Sequence, residues 1–134
     1  MKSIKSTYLI ILIASLVFLF EGCKKDDDPS PAEQLVGSWK EVSYVSTGCT
    51  DPSDNESGTC TTKCETLVAT SSTLTFGSDP ALSYTASGNT LTVTIPGQQS
   101  VTVVFAITGS TLTFTIQDSP ADGGCKSVST YSKI

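Results

Sequence analysis

The chain has 134 residues and a formal net charge of −5 at pH 7, with eight lysines but no arginine and no histidine. The lack of clustered cations disfavours nucleic-acid binding, which depends on displacing counterions from phosphates. Without histidine, neither a histidine-based catalytic triad nor a histidine-ligated metal site can form.

Residues 1–22 are predicted to be a signal peptide that ends at a cysteine. Two early lysines precede an apolar run from Tyr8 to Phe20. The run has the length of a secretory hydrophobic region, and it is shorter than the roughly 18 residues that a membrane-spanning helix needs. Gly22 stands directly before Cys23, so cleavage there would make Cys23 the new N-terminus.

The segment around Cys23 resembles the signal of bacterial lipoproteins, in which this cysteine is acylated. The letters CKKDDD at 23–28 are similar to the export signal of surface lipoproteins in the Bacteroidetes group. The resemblance implies an outer-membrane lipoprotein that is anchored through acylated Cys23 and exposed at the cell surface, with the periplasmic face as the alternative. An ordinary secretory signal followed by a chance cysteine is the competing interpretation.

Residues 23–32 are predicted to be a flexible tether. Asp26, Asp27 and Asp28 carry like charges, and the sequence PSP at 29–31 favours extended backbone. The segment 33–134 is then the domain, and its length of about 100 residues suits one modest hydrophobic core.

From residue 33 onward the dominant pattern has period two, which is typical of half-buried strands. Gly88 and Gly109 precede two of these segments and can adopt the positive φ of a tight hairpin turn. Strands are predicted near 38–46, 70–76, 82–86, 89–95, 99–108, 111–117 and 126–134. We therefore predict an all-β fold: one small antiparallel meander barrel of seven strands, or of eight if 65–70 supplies another.

The same alternation divides the strand residues between an interior and an exterior. Thr90, Thr92 and Thr94 are one of several threonine rows. We interpret these rows as solvated exterior, because threonine is favoured in strands, in preference to an ice-binding or sugar-binding face. The candidate interior lining is Leu74, Leu82, Tyr84, Leu91, Val93, Phe105, Leu112 and Phe114.

Two short motifs mark the ends of the domain. Gly37-Ser38-Trp39 opens the first predicted strand, and the last strand contains TYSK at 130–133. Behind a lipoprotein tether, these motifs resemble the lipocalin-like β-barrel domains of Bacteroidetes lipoproteins. The resemblance implies that Trp39 plugs the closed end of the barrel, where its indole N–H needs a backbone acceptor. In the lipocalins proper an arginine packs on this tryptophan, and Lys133 is the nearest counterpart here.

Four cysteines remain once Cys23 is assigned to lipid: Cys49, Cys60, Cys64 and Cys125. An even number in an exported protein predicts two disulfides. A four-thiolate zinc site is the alternative, but only Cys60 and Cys64 have the spacing of a ligand pair. Of the three possible connectivities we favour Cys49–Cys125 with Cys60–Cys64, since an eighth strand would place Cys125 on the rim near Cys49. The loop 47–63 would then be pinned at the barrel mouth as a candidate binding loop.

No catalytic constellation or cofactor motif stands out. Asp51, Asp54 and Glu56 could offer oxygens to calcium, but they lack the complete pattern of a calcium loop. We therefore expect a protein that is not an enzyme, holds no cofactor or metal, and is a monomer.

Two functions fit these features. The first is a lipid-anchored binding protein that holds a small apolar or amphipathic ligand inside the barrel. The second is an accessory surface lipoprotein whose barrel is filled by its own side chains and whose loops contact proteins or glycans. A cavity above about 300 Å³ favours the binding protein, and a filled interior favours the accessory role.

Overall fold

The structure is a computed structural model that describes residues 28–134. The predicted signal peptide and residues 23–27, the first half of the predicted tether including Cys23, lie outside the described residues. Nine strands form the fold: β1 Gly37–Thr47, β2 Glu56–Thr59, β3 Thr66–Ala69, β4 Thr73–Phe76, β5 Leu82–Ser87, β6 Thr90–Thr94, β7 Val101–Thr108, β8 Thr111–Gln117 and β9 Lys126–Lys133. A five-residue helix, α1 (Pro31–Leu35), precedes β1, and single turns of 3₁₀ helix occur at Pro52–Asp54 and Pro120–Asp122.

Eight of these strands form a closed antiparallel barrel in meander order, which confirms the predicted fold class. Each strand from β3 to β8 pairs with the next along the chain, and β1 pairs with both β3 and β9 to complete the ring. Strand β3 is the eighth strand that the sequence left open. Because the number is even, the first and last strands meet antiparallel.

Strand β2 is an additional strand beyond the eight of the barrel, and the sequence analysis did not predict it. It pairs with the second half of β1, while β3 pairs with the first half of β1 along the same edge. The two short strands therefore act as one partner strand that is interrupted between them. Backbone bonds from Cys60 N to Val42 O and from Glu41 N to Glu65 O flank the interruption at 2.8 and 2.9 Å.

Two-residue turns connect neighbouring strands at one end of the barrel. Ser87 pairs with Thr90 across Gly88, and Thr108 pairs with Thr111 across Gly109. The φ angles of the two glycines are 56° and 59°, and a primed hairpin turn requires such a value at its first central position. Gly88 and Gly109, which the sequence analysis identified as turn residues, thus lie in the turns that set the register of these strand pairs.

Helix α1 was also missed by the strand-based analysis. Ser30 accepts a hydrogen bond from Glu33 N, and the Glu33 side chain accepts one from Ser30 N. This reciprocal arrangement is a capping box, which satisfies two backbone donors at the helix start. The helix therefore begins within residues 23–32, the segment predicted as tether.

The core is apolar and continuous. Buried side chains alternate with exposed ones along the strands, as in β6, where Leu91 and Val93 are buried while Thr92 and Thr94 are exposed. The largest fully buried side chains are Trp39, Phe105, Leu35, Leu67, Leu74, Leu91 and Leu112. Across residues 28–134, no helix has both the length and the hydrophobicity to cross a membrane.

Candidate functional site

One end of the barrel is sealed by Trp39. This side chain is completely buried, and its Nε1 donates a hydrogen bond to the carbonyl oxygen of Leu35 at 2.8 Å. Leu35 is also completely buried at the end of α1, so the helix and the indole ring together close this opening. The indole thus has a backbone acceptor, which a buried N–H requires.

A lysine covers the sealed end from outside. The Nζ atom of Lys133, in β9, lies 5.2 Å from the centre of the Trp39 ring, and β9 pairs with β1 at these two residues. A cation at this distance over an aromatic face is attracted by the ring quadrupole. Lys133 thus occupies the position where the lipocalin resemblance would place an arginine.

The opposite end of the barrel contains a partly open pocket of about 220 Å³. It lies where β4, β6 and β8 end and where β5, β7 and β9 begin. Nine apolar residues and three hydroxyl-bearing residues form its wall: Leu74, Phe76, Leu82, Val93, Ile95, Val101, Val103, Phe114, Ile116, Ser127, Ser129 and Tyr131.

The predicted lining residues divide into two groups. Leu74, Leu82, Val93 and Phe114 line the pocket. The other four, Tyr84, Leu91, Phe105 and Leu112, are buried in the core outside the pocket wall.

Tyr84 has a structural role in this core. Its hydroxyl donates a hydrogen bond to Thr70 O at 2.6 Å. Burial of the ring raises the pKa of Tyr84 above its ordinary value, so the hydroxyl keeps its proton and remains a donor.

Sequence reasoning missed most of the pocket wall. Val101, Val103 and Ile116 stand in the alternating rows that predicted the strands, so the pattern could have identified them. Ser127 and Ser129 carry no apolar signal. Only the pairing of β9 with β1 and β8 shows that they face the interior.

The three hydroxyl-bearing residues occupy alternate positions of one strand. The Ser127 hydroxyl lies 2.7 Å from that of Ser46 in β1. Tyr131 is 4 % exposed and packs edge-on against Phe114, with ring centres 5.7 Å apart. We call Ser127, Ser129 and Tyr131 the hydroxyl strip; the rest of the pocket wall is apolar.

Two carboxylates influence the end of the hydroxyl strip. Burial, followed by the negative charges of Glu41 and Glu65, raises the pKa of Tyr131 to about 12, and the Ser129 hydroxyl partly offsets this shift. Desolvation, followed by the charges of Glu41 and Asp79, raises the pKa of Glu65. The carboxylates of Glu41 and Glu65 thus disfavour a further negative charge at the Tyr131 hydroxyl.

Both favoured disulfides are present. Cys49 and Cys125 join the segment after β1 to the segment before β9, and Thr50 N donates to Gly123 O at 2.8 Å beside the bridge. Cys60 and Cys64 close the interruption between β2 and β3. The four cysteines of the predicted zinc alternative are thus used in disulfides.

The pinned loop is more regular in structure than the sequence predicted. Within 47–63 the chain forms a 3₁₀ turn and strand β2, and none of its residues lines the apolar pocket. Asp51 accepts hydrogen bonds from the backbone and hydroxyl of Ser53, at 2.9 and 2.7 Å. Among the described residues, no three acidic or cysteine side chains are grouped to hold a metal ion.

Comparisons with protein-family models, with curated proteins and with solved structures found no match for this chain. The fold is therefore assigned from the strand geometry alone. It is an eight-stranded antiparallel barrel that is sealed at one end and has a pocket at the other.

Proposed function

We propose that this protein is a lipid-anchored cell-envelope protein of lipocalin-like type that binds a small apolar or amphipathic ligand. The observation that carries the proposal is the pocket of about 220 Å³ at the end of the barrel opposite Trp39. Its wall is apolar apart from the hydroxyl strip, so an apolar ligand would bury surface there without leaving a charged protein group unpaired.

The size of the pocket limits the ligand. Drug-sized ligands occupy pockets of roughly 300–1,000 Å³, and at about 220 Å³ the pocket does not reach the volume that the sequence analysis set as favouring a binding protein. An apolar cavity of about 150 Å³ is nevertheless large enough to bind benzene. The pocket therefore suits a single ring or a short hydrocarbon chain.

The position of helix α1 relative to the pocket supports the anchored form of this proposal. Ser30 caps α1, and the last residue of α1, Leu35, packs on Trp39 at the sealed end. An anchor at Cys23 would hold the sealed end near the membrane. The pocket would then open away from the anchoring bilayer, towards ligands in the aqueous space.

Thermal unfolding in the presence of candidate ligands tests the binding proposal. A ligand that binds only the folded state at 100 times its Kd stabilises it by about 2.7 kcal/mol, which for a domain of this size raises Tm by roughly 10 °C or more. We expect Val101→Trp, which fills the pocket, to abolish the shift. Val104→Trp is the matched control, because Val104 lies on the same strand and is 50 % exposed.

Two outcomes would contradict the binding role. One is a panel of small apolar and amphipathic compounds that leaves Tm unchanged. The other is a shift that persists in Val101→Trp. Either result favours the accessory surface role, in which the loops make the contacts.

Labelling with a fatty acid tests the anchor. The wild-type chain should incorporate the label and sediment with membranes, and Cys23→Ala should do neither. Equal labelling of Cys23→Ala would refute acylation at this residue. Protease treatment of intact cells would then distinguish the surface from the periplasmic face.

A further inference from the structure

We propose that the pocket selects uncharged ligands over anionic ones. Its occupant is a neutral molecule, of one ring or one short chain, with a hydroxyl or carbonyl group along one edge. This inference rests on the proposed binding function and adds the charge and the polar edge of the ligand.

The hydroxyl strip defines the polar edge. Ser127, Ser129 and Tyr131 are alternate residues of β9, so they extend along about 13 Å of one side of the pocket. Each hydroxyl can both donate and accept a hydrogen bond. They can therefore pair with an alcohol or a carbonyl, while the apolar residues on the other strands enclose the hydrocarbon part.

The pocket offers no counter-charge to an anion. The chain has no arginine, and none of the four lysines in residues 28–134 belongs to the pocket wall. Lys133 lies over Trp39 at the sealed end, and Lys126 is exposed at the start of β9. A bound carboxylate would be desolvated without an ionic partner, which is strongly unfavourable.

Nearby carboxylates oppose an anion further. Glu41 is the direct cross-strand partner of Tyr131, and the backbone N–H of Glu41 donates a hydrogen bond to the carbonyl oxygen of Glu65. The charges of both side chains act on the Tyr131 hydroxyl strongly enough to contribute to its raised pKa. A ligand carboxylate at the Tyr131 end of the hydroxyl strip would experience the same repulsion.

Three closely matched probes test the preference of the pocket for neutral ligands. Benzyl alcohol, benzoate and toluene share one ring and differ in charge and in hydrogen-bonding capacity. Binding is measured as the Tm shift of the full chain in neutral phosphatidylcholine vesicles over a range of probe concentrations. Val101→Trp corrects for non-specific effects of each probe.

We expect benzyl alcohol to bind best and benzoate to bind at least about tenfold more weakly, because the buried carboxylate lacks a partner. Toluene should be weaker than benzyl alcohol in the wild type. The variant Tyr131→Phe keeps the ring but removes one hydroxyl. In this variant the difference in affinity between benzyl alcohol and toluene should become smaller. In Glu41→Gln, benzoate should gain affinity relative to benzyl alcohol.

The outcomes separate this inference from the binding function. If benzoate binds as well as benzyl alcohol and Val101→Trp abolishes both shifts, the pocket binds ligands but the charge selection is wrong. If toluene equals benzyl alcohol in the wild type, the polar edge is wrong. If no probe shifts Tm in a Val101→Trp-sensitive way, the binding function itself fails, and the selectivity with it.

Discussion

The indole Nε1 of Trp39 donates its hydrogen to the carbonyl oxygen of Leu35 across 2.8 Å, and both residues are completely buried. This bond joins the helix before the barrel to the first barrel strand. It also satisfies a polar atom on each side of an otherwise apolar seal. The seal leaves the other end of the barrel as the place for a pocket.

Replacing Trp39 with phenylalanine should destabilise the fold. The substitution removes the donor and leaves a buried carbonyl oxygen without its partner, which costs about 1–3 kcal/mol, in addition to the loss of packing. Urea unfolding followed by circular dichroism measures the change in free energy. Tyr44→Phe is the control, because Tyr44 is 39 % exposed. An equal, small effect of both substitutions would show that the seal contributes little.

Lys133 should stabilise the seal modestly through its contact with Trp39. Lys133→Gln removes the cation over the ring and should cost about 0.5–1 kcal/mol. Lys133→Arg should preserve or increase stability, since a planar guanidinium stacks on an aromatic face. Lys126→Gln, on the same strand and exposed, serves as control in the same urea experiment. The cation–π interpretation fails if Lys133→Gln and Lys126→Gln behave alike.

The two disulfides should contribute unequally to stability. Cys49 and Cys125 are 76 residues apart, whereas Cys60 and Cys64 are only four apart. In the chain-entropy description, the Cys49–Cys125 bridge should raise the free energy of unfolding by about 4.5 kcal/mol and the Cys60–Cys64 bridge by about 2 kcal/mol. Paired cysteine-to-serine variants of each bridge, compared by denaturant unfolding, measure this difference. A larger loss from the Cys60–Cys64 pair would mean that the interruption between β2 and β3 depends on its disulfide for more than chain entropy.

Glu65 should make stability depend on pH. Its pKa is raised in the folded state, so the folded state binds a proton more tightly than the unfolded state does. Stability from this group is therefore greatest at low pH and is lost as pH rises above about 4.5 through the folded-state pKa. Glu65→Gln should be more stable than the wild type at pH 7, by less than about 1 kcal/mol because the side chain is largely solvated.

The pH prediction is checked by urea unfolding between pH 4 and pH 7. The advantage of Glu65→Gln should shrink towards the acid end of this range. Glu56→Gln in the exposed strand β2 is the matched control. An advantage of equal size at every pH would exclude titration of Glu65 as its cause.

The strands with long alternating patterns were predictable from the sequence. The hairpins at Gly88 and Gly109 fall where the glycines indicated, because only two residues separate the paired strands and the turn needs a positive φ. The short strands were harder to predict. Strand β2, ESGT, has no alternation of apolar and polar residues. It is extended because it pairs with β1, and not because of a local signal in its own sequence.

The candidate pocket was only partly predictable for a related reason. Alternation identifies which side chains point inward, but it does not tell at which height of the barrel each one lies. Phe105 and Phe114 are direct cross-strand partners, and yet only Phe114 lines the pocket. The stagger of tilted strands decides this, and stagger follows from the pairing of strands that are far apart in the chain.

The sequence by itself determined the all-β class, the meander order and the inward side of most strands, because side-chain alternation and turn glycines act over a few residues. It also limited the chemistry, since a chain without arginine or histidine cannot supply their side chains anywhere. Only the tertiary structure decided the ring closure of β1 on β9, the division of the interior into a sealed half and a hollow half, and the place of Ser127 and Ser129 in the pocket wall. These features depend on contacts between distant segments, and no local pattern encodes the register in which such segments meet.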